Sequence, residues 1–149
     1  MNGMMRYAGF GRRLTAFVID NLLLQITVVI VLILALSFTG DAIDITAYEM
    51  IDSLKGVYWA TSFVTGLFYF TWFHGMTGQT IGKKILGLKV VRTTGERMTL
   101  GIGFLRWVGY IVSSTVFYLG FLWILFDGKK RGWHDRIAGT LVIKTGSTY

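Results

Sequence analysis

The chain has 149 residues, of which 53% are hydrophobic and 15% are charged, a balance typical of a small integral membrane protein rather than of a soluble domain. It contains no cysteine, which excludes disulfides, thiolate metal sites and cysteine nucleophiles. Its net charge of +7 favours contact with anionic lipid over binding to nucleic acid, because the basic residues lie between apolar segments.

The first apolar segment runs from residue 14 to residue 38 and contains a carboxylate, Asp20. At about 1.5 Å per residue it is long enough to cross a hydrocarbon core of about 30 Å. No small-residue cleavage site follows it, so we expect an uncleaved anchor. An ionisable side chain within a span costs several kcal/mol by most scales and is usually retained for a function. Asp20 is therefore the first candidate functional residue.

The polar residues of this segment are predicted to share one helical face. Seven residues make almost two turns, so Arg13 and Asp20 lie on the same side, with Asn21 and Gln25 beside them. Lipid solvates a carboxylate poorly, so this polar face is expected to turn towards a partner helix, a second copy of the chain or a water-filled cavity.

Two further apolar segments, 57–76 and 101–126, are each long enough to span a membrane. The N-terminal flank is basic, whereas the loop 39–56 carries one lysine and several acidic residues. By the positive-inside rule the N-terminus is cytoplasmic, as is the basic loop 77–100. The first two segments then form a hairpin with both ends in the cytoplasm.

The third segment conflicts with this rule if it crosses once, because the basic tail 127–149 would then lie outside. Arg106 lies within the segment, and small residues offer places to bend: Gly109, Ser113, Ser114 and Gly120. We favour a re-entrant or broken segment that returns the C-terminus to the cytoplasm, with a single crossing as the alternative.

A small β element is predicted beside the helices. Residues 88–92 and 97–100 flank Thr93-Thr94-Gly95-Glu96 and indicate a short hairpin, and residues 141–144 form another strand-like piece. Pairing all of them requires both regions on one side of the membrane; the alternative is separate amphipathic pieces at the interface. The predicted fold is an all-α integral membrane protein with a small cytoplasmic β-hairpin-like element, in one domain covering 1–149.

Several phrases of the sequence, in order and across nearly the whole chain, resemble the RDD family of bacterial membrane proteins. They are Tyr7-Ala8-Gly9-Phe10, Arg12-Arg13-Leu14, Ala16, Ile19-Asp20, Gly78-Gln79-Thr80-Ile81-Gly82-Lys83-Lys84, Gly87-Leu88-Lys89-Val90-Val91, Arg106-Trp107, His134-Asp135-Arg136 and Ala138-Gly139-Thr140. The resemblance implies a location in the bacterial cytoplasmic membrane. It also implies a functional arginine and two functional aspartates, which map onto Arg13, Asp20 and Asp135, with Asp127 as the rival for the third place. Members are generally unassigned in function; transport of unidentified ligands is proposed, and cation/proton antiport is reported for some.

Other features of the sequence carry less weight. Residues 78–84 resemble a phosphate-binding loop only superficially, because their spacing is wrong, and an interfacial turn is the better interpretation. His74 is either a proton relay or an interfacial packing residue. The sequence has no Ser/His/Asp constellation and no HExxH motif, and it has only two histidines, so we expect no enzyme activity, no metal site and no cofactor.

Two classes of function remain. The first is a secondary transporter, functioning as a homo-oligomer, in which Asp20 exchanges a monovalent cation or a proton. In this class Asp135 comes near Arg13 and forms a gate or a cation access site; the alternative for residues 132–136 is a solvated turn with His134 on the surface. The second class is a non-transporting scaffold that presents the polar face of the first helix to another membrane protein.

Overall fold

The computed structural model describes residues 6–39, 47–116 and 118–145. These residues are mostly helical and contain one two-stranded antiparallel sheet. The elements in chain order are α1 (Phe10–Thr39), α2 (Ala47–Met76), α3 (Ile81–Ile85), β1 (Leu88–Arg92), α4 (Leu100–Thr115), α5 (Leu119–Leu122), a 3₁₀ turn (Trp123–Leu125), α6 (Trp133–Ile137) and β2 (Thr140–Lys144).

Within the described part of the chain, α1 is the one unbroken helix that is both long and apolar enough to cross a membrane. Only 11% of its most apolar stretch is buried, whereas the core helix of a soluble protein would be mostly buried. Helix α2 has 30 residues, but it is rich in Thr, Gly, Tyr and Trp, which hydropathy scales rank low. The prediction of three spanning segments is therefore not confirmed.

The third apolar segment is broken, as we predicted from the basic charge of the tail 127–149. The segments 100–115 and 119–125 meet at an angle of 110°. The break lies after Thr115, close to Tyr118, whose φ is 60°, and not at Gly109, which lies inside α4. Beyond the break, Gly120 packs on Ser113: a Cβ atom at position 120 would lie 2.7 Å from the Cα of Ser113. The chain thus folds back on the end of α4.

The predicted hairpin has the wrong second strand. Strand β1 pairs with β2, with Leu88 opposite Lys144 and Arg92 opposite Thr140. Residues 97–99 are in neither a helix nor a strand, and Thr99 caps the start of α4. The alternative of separate interfacial pieces is also wrong, because β1, which precedes α4 in the chain, pairs with β2, which follows it. The partner is supplied by the far end of the chain.

The segment that precedes α1, residues 6–9, packs against the two-stranded sheet. The backbone N–H of Ala8 donates to the carbonyl of Val142 at 2.9 Å, and that of Val90 donates to the carbonyl of Gly78 at 2.7 Å. Ala8, Val90 and Val142 are buried in one small apolar cluster with Leu88 and Ala16. We call this assembly, residues 6–9, 77–99 and 127–145, the sheet end of the molecule.

Two glycines let the short helices of the sheet end pack directly on the long ones. A Cβ atom at Gly82 would lie 2.2 Å from the carbonyl oxygen of Ala16, so α3 contacts the backbone of α1. A Cβ atom at Gly109 would lie 2.6 Å from the Cα of His134, so α6 contacts the backbone of α4. These close approaches bring Asp20 and Asp135 within reach of their partners.

Candidate functional site

Asp20 is fully buried, and three neutral groups donate hydrogen bonds to it. The hydroxyl of Tyr69 and the backbone N–H of Gly82 both donate to Oδ1 at 2.7 Å. The hydroxyl of Thr80 donates to Oδ2 at 2.5 Å. No lysine or arginine of the described ranges forms an ion pair with this carboxylate. The negative charge of an ionised Asp20 would thus be stabilised by dipoles alone.

The local sequence explains how these donors come together. Thr80 caps α3, because its side chain accepts from the backbone N–H of Lys83 at 3.4 Å. The N–H groups at a helix start lack intrahelical acceptors, so the N–H of Gly82 is free to bind the carboxylate. Tyr69 comes from α2 and also accepts a hydrogen bond from the N–H of Ile81 at 3.1 Å. Asp20 therefore holds α1, α2 and α3 together.

Asp135 is also fully buried, but it lies between two arginines. Arg13 Nη1 donates to its Oδ2 and Arg106 Nη1 to its Oδ1, both at 2.6 Å. The backbone N–H of Gly132 donates to Oδ2 at 3.0 Å. Burial by itself raises the pKa of Asp135, but the two guanidinium groups outweigh burial and hold the pKa well below its usual range. This carboxylate is permanently ionised at neutral pH.

The two arginines extend this ion pair through the sheet end. Arg13 belongs to α1 and Arg106 to α4, so Asp135 of α6 connects three helices. Arg106 also reaches β2 through Thr140. The remaining contacts are Arg13 Nε to the carbonyl of Ala8 at 3.0 Å, Arg13 Nη2 to the carbonyl of Val142 at 3.3 Å, Arg106 Nη1 to the hydroxyl of Thr140, and Arg106 Nη2 to the hydroxyl of Tyr110 at 3.4 Å.

Asp127, the rival for the third family position, anchors a turn instead. Its Oδ2 accepts from the backbone N–H of Lys129 at 3.0 Å and of Arg131 at 3.1 Å. Its Oδ1 accepts from the side chain of Arg136 at 2.6 Å. Burial raises the pKa of Asp127, but the hydrogen bonds from Arg136 and Arg131 outweigh burial and lower the pKa well below its usual range. Asp135, and not Asp127, lies beside Arg13.

The predicted polar face of α1 is used within the chain. Asp20 accepts a hydrogen bond from Tyr69 of α2, and Gln25 accepts one from Tyr58 of the same helix. Asn21 donates to the carbonyl of Phe17 in its own helix at 2.8 Å. The expectation that this face meets a partner helix is thus met by α2 and α3 of the same chain. Arg13, which the spacing places on the same side of α1 as Asp20, pairs with Asp135.

Sequence reasoning missed most of the groups that hold the two aspartates. Residues 78–84 were interpreted as an interfacial turn, yet they supply two of the three donors to Asp20. The position of Arg106 indicated a break in the third apolar segment, but the sequence did not identify Arg106 as a partner of Asp135. An arginine inside an apolar segment is as costly as Asp20, so its presence was a usable signal for a buried ion pair. Tyr69 gave no comparable signal among the many aromatic residues of α2.

Both histidines are buried, so the alternative of a solvated turn with His134 on the surface is wrong. Burial, together with the nearby Arg106, Arg13 and Lys83, lowers the pKa of His134 to about 3, and the ring is neutral at neutral pH. His74 Nδ1 lies 2.8 Å from the carbonyl of Phe70. Over the described ranges, no group of three or more His, Cys, Asp or Glu residues is placed to hold a metal ion.

Comparison with known proteins assigns the sequence to a family. The RDD family profile matches residues 7–139. The uncharacterized protein YxaI of Bacillus subtilis is 35% identical over 94% of this chain and 99% of its own length, and the uncharacterized membrane protein YteJ of the same organism is 30% identical over 92% and 80%. A proline-rich antigen homolog of Mycobacterium tuberculosis is 34% identical over 58% of this chain, and the match covers 38% of that longer protein.

No solved structure matches the chain. The sequence evidence nevertheless agrees with the exposed apolar surface of α1, which needs a lipid environment. The protein is an integral membrane protein, and it belongs to the RDD family.

Proposed function

We propose that the protein is a secondary transporter that exchanges a monovalent cation for a proton, and that Asp20 carries the exchange. One observation supports this assignment: among the residues that the structure describes, Asp20 is buried and bound only by the neutral donors of Tyr69, Thr80 and Gly82. A buried carboxylate without an ion-pair partner gains stability from a proton or a small cation taken from solution. Asp135 cannot serve in this way, because its charge is already balanced by two arginines.

The groups around Asp20 suit a site that changes its charge. The hydroxyls of Tyr69 and Thr80 can rotate and accept a hydrogen bond when Asp20 gains a proton, whereas the N–H of Gly82 can only donate. Hydrogen bonds to a charged group are stronger than those between neutral groups. Neutralisation of Asp20 therefore weakens its hold on α3, and this links the state of the site to the position of the sheet end.

The proposal includes a membrane topology. The sheet end contains the basic loop and the basic tail, and the positive-inside rule places such segments in the cytoplasm. The N-terminus then lies on the same side, in the bacterial cytoplasmic membrane. A chain with so few span-capable helices has too little wall to enclose a pathway, so we propose a multi-pass homo-oligomer as the working unit.

The alternative is a non-transporting scaffold that presents the polar face of α1 to another membrane protein. Asp20 and Gln25 on this face bind residues of α2 and α3 in the same chain. These contacts favour the transporter proposal over the scaffold, because they occupy two of the polar side chains that a partner would bind.

The test is proton movement in proteoliposomes that contain the purified protein and a pH-sensitive dye, after addition of Na⁺, K⁺ or Li⁺ outside. The informative variant is Asp20→Asn, because Oδ2 faces only the Thr80 hydroxyl, which can accept a hydrogen bond from the new amide. The control is Asp52→Asn, which alters an exposed carboxylate of α2. We expect cation-dependent proton movement by the wild type and the control, and none by Asp20→Asn. Equal flux in all three proteins, or no flux by the wild type, would refute the proposal.

A further inference from the structure

A small cavity of about 70 Å³ lies beside the ion pair of Asp135, between α1, α4 and α6. Its polar side is formed by Arg13, Lys83, Arg106, Tyr110 and His134. The remaining wall is apolar and is formed by Phe10, Leu14, Phe17, Phe121, Ile124 and Val142. The mechanism proposed for Asp20 uses neither this cavity nor Lys83.

The cavity has an excess of positive charge. Three cationic side chains line it, and two of them, Arg13 and Arg106, share the single carboxylate of Asp135. His134 adds no charge, since burial keeps its ring neutral. The surplus of two positive charges sits in a part of the molecule where charge is costly without a counter-ion.

Lys83 is the lining cation that forms no ion pair with any residue in the described part of the chain. Its side chain is 4% exposed, and in the described ranges the one hydrogen bond of its Nζ is to the hydroxyl of Tyr110, at a long 3.5 Å. An ammonium group has three donors, so most of its hydrogen-bonding capacity is unused. The neighbouring Lys84 is exposed, as surface lysines usually are.

One buried donor of the cavity lining is unsatisfied. Arg106 Nε has no hydrogen-bond partner in the described part of the chain. His134 Nδ1 also has none, but a neutral ring donates from one nitrogen only, and its Nε2 faces Oδ1 of Asp135 at 3.6 Å. Buried polar atoms without a partner are rare in folded proteins and call for an explanation. An oxyanion in the cavity would supply an acceptor to Arg106 Nε and a counter-charge to Lys83.

The apolar wall connects the charged side of the cavity to the lipid-facing surface. Leu14 lines the cavity and is also 47% exposed on the outer side of α1. Phe17 and Phe121 continue the wall: Phe17 meets the ring of Tyr110 edge-on, and Phe121 stacks on that ring. A ligand with an anionic head and an apolar chain would match both sides of the cavity.

We propose that this cavity binds an oxyanion, a phosphate or a carboxylate, with Lys83 as its counter-charge and Arg106 Nε as a hydrogen-bond donor. A membrane amphiphile and a free phosphate ion both carry this chemistry, and the apolar wall favours the amphiphile. The proposal goes beyond cation/proton exchange and does not depend on Asp20.

The test is a binding measurement by native mass spectrometry on the full-length protein in an uncharged detergent. The probes are lysophosphatidic acid, the zwitterionic lysophosphatidylcholine of the same chain length, and inorganic phosphate. The variants are Lys83→Gln, Lys83→Arg and the matched control Lys84→Gln. The wild type is expected to bind one lysophosphatidic acid per chain about tenfold more tightly than lysophosphatidylcholine, a difference typical of one charge-assisted contact.

We expect Lys83→Gln to weaken lysophosphatidic acid binding by about tenfold, and Lys83→Arg and Lys84→Gln to leave it unchanged. Binding of inorganic phosphate with the same dependence on Lys83 supports the proposal with a soluble ion as the source, and binding of the lysolipid alone supports a lipid source. Equal affinity of the wild type for the two lysolipids overturns the proposal even if Lys83→Gln does not fold. Unchanged binding by a folded Lys83→Gln variant overturns it as well.

Discussion

Two aspartates of this protein are equally buried, but they lie in opposite electrostatic surroundings. Asp20 accepts hydrogen bonds from two hydroxyls and a backbone N–H, whereas Asp135 lies between the guanidinium groups of Arg13 and Arg106. The charge of Asp135 is fixed, since loss of it would leave two buried arginines unbalanced. Asp20, by contrast, forms no ion pair with any residue that the structure describes. The role of a buried carboxylate in a membrane protein therefore depends on its counter-charge and not on burial alone.

The two regions also tether different parts of the chain. Asp20 holds the segment 80–82, next to the end of α2, and Asp135 holds the C-terminal segment 132–140 against α1 and α4. Both segments belong to the sheet end, where β1 and β2 join them. If Asp20 changes its charge during a transport cycle, its contacts with the segment 80–82 change, whereas the ion pair of Asp135 keeps the C-terminal segment 132–140 in place.

The largest effect is expected when the fixed charge is removed. Asp135→Asn should lower the free energy of unfolding by about 3–5 kcal/mol, the usual cost of leaving a buried charge without its partner. The measurement is the melting temperature in detergent, with Asp52→Asn as the exposed control. The double variant Arg13→Gln/Asp135→Asn should recover part of the loss. A melting temperature of Asp135→Asn equal to that of the wild type would contradict the comparison.

The docking of α3 on α1 is the next most sensitive feature. In Gly82→Ala the new methyl group would lie 2.2 Å from the carbonyl oxygen of Ala16, so the backbone must move and the bond to Asp20 is strained. We expect a loss of about 1–3 kcal/mol in the free energy of unfolding. Gly101→Ala is the matched control, because a Cβ atom at position 101 meets nothing nearer than the Thr99 hydroxyl at 3.9 Å. Equal stability of the two variants would mean that α3 is not firmly docked.

The pH dependence of stability reports on the neutral His134. Its pKa is about 3 in the folded protein and about 6.5 in an unfolded chain. Between these values the unfolded state binds more protons, so stability falls as the pH is lowered through this window. From pH 7 to pH 5.5 the loss due to His134 is about 1 kcal/mol, whereas the lowered pKa of Asp135 acts only below pH 4. Chemical denaturation at both pH values should show a smaller loss for His134→Gln, and an unchanged loss would exclude this origin.

The smallest expected change in stability is that of Asp20→Asn. The amide keeps the shape of the carboxylate and can satisfy the same three groups, so we expect a loss of about 1 kcal/mol. Comparison of its melting temperature with that of Asp135→Asn sharpens the contrast between the two sites. A loss as large as that of Asp135→Asn would show that the charge of Asp20 is structural.

Much of the fold could be predicted from local sequence signals. The length of α1 and the position of Asp20 within it follow from apolar runs and helical geometry. The conflict between the basic tail and a straight third segment correctly indicated a break. The approach of Arg13 to Asp135, which lies 122 positions away, was one of two alternatives and depended on a third segment that returns to the same membrane face. Pairing of residues 88–92 with the strand-like piece near the C-terminus is confirmed. The second hairpin strand, 97–100, was wrong, since turn residues favour the nearest strand and contain no information about distant ones.

The sequence by itself determined that this is a membrane protein, which face of α1 is polar, and that buried charge is concentrated in few residues. These properties depend on composition and on spacings within one helix, where geometry is fixed. Only the tertiary structure decided which partner each charge has. Thr80 and Gly82 reach Asp20, and Arg106 reaches Asp135, because close glycine contacts bring distant segments together. Counter-charge is a property of neighbours in space, and those neighbours are far apart in the chain.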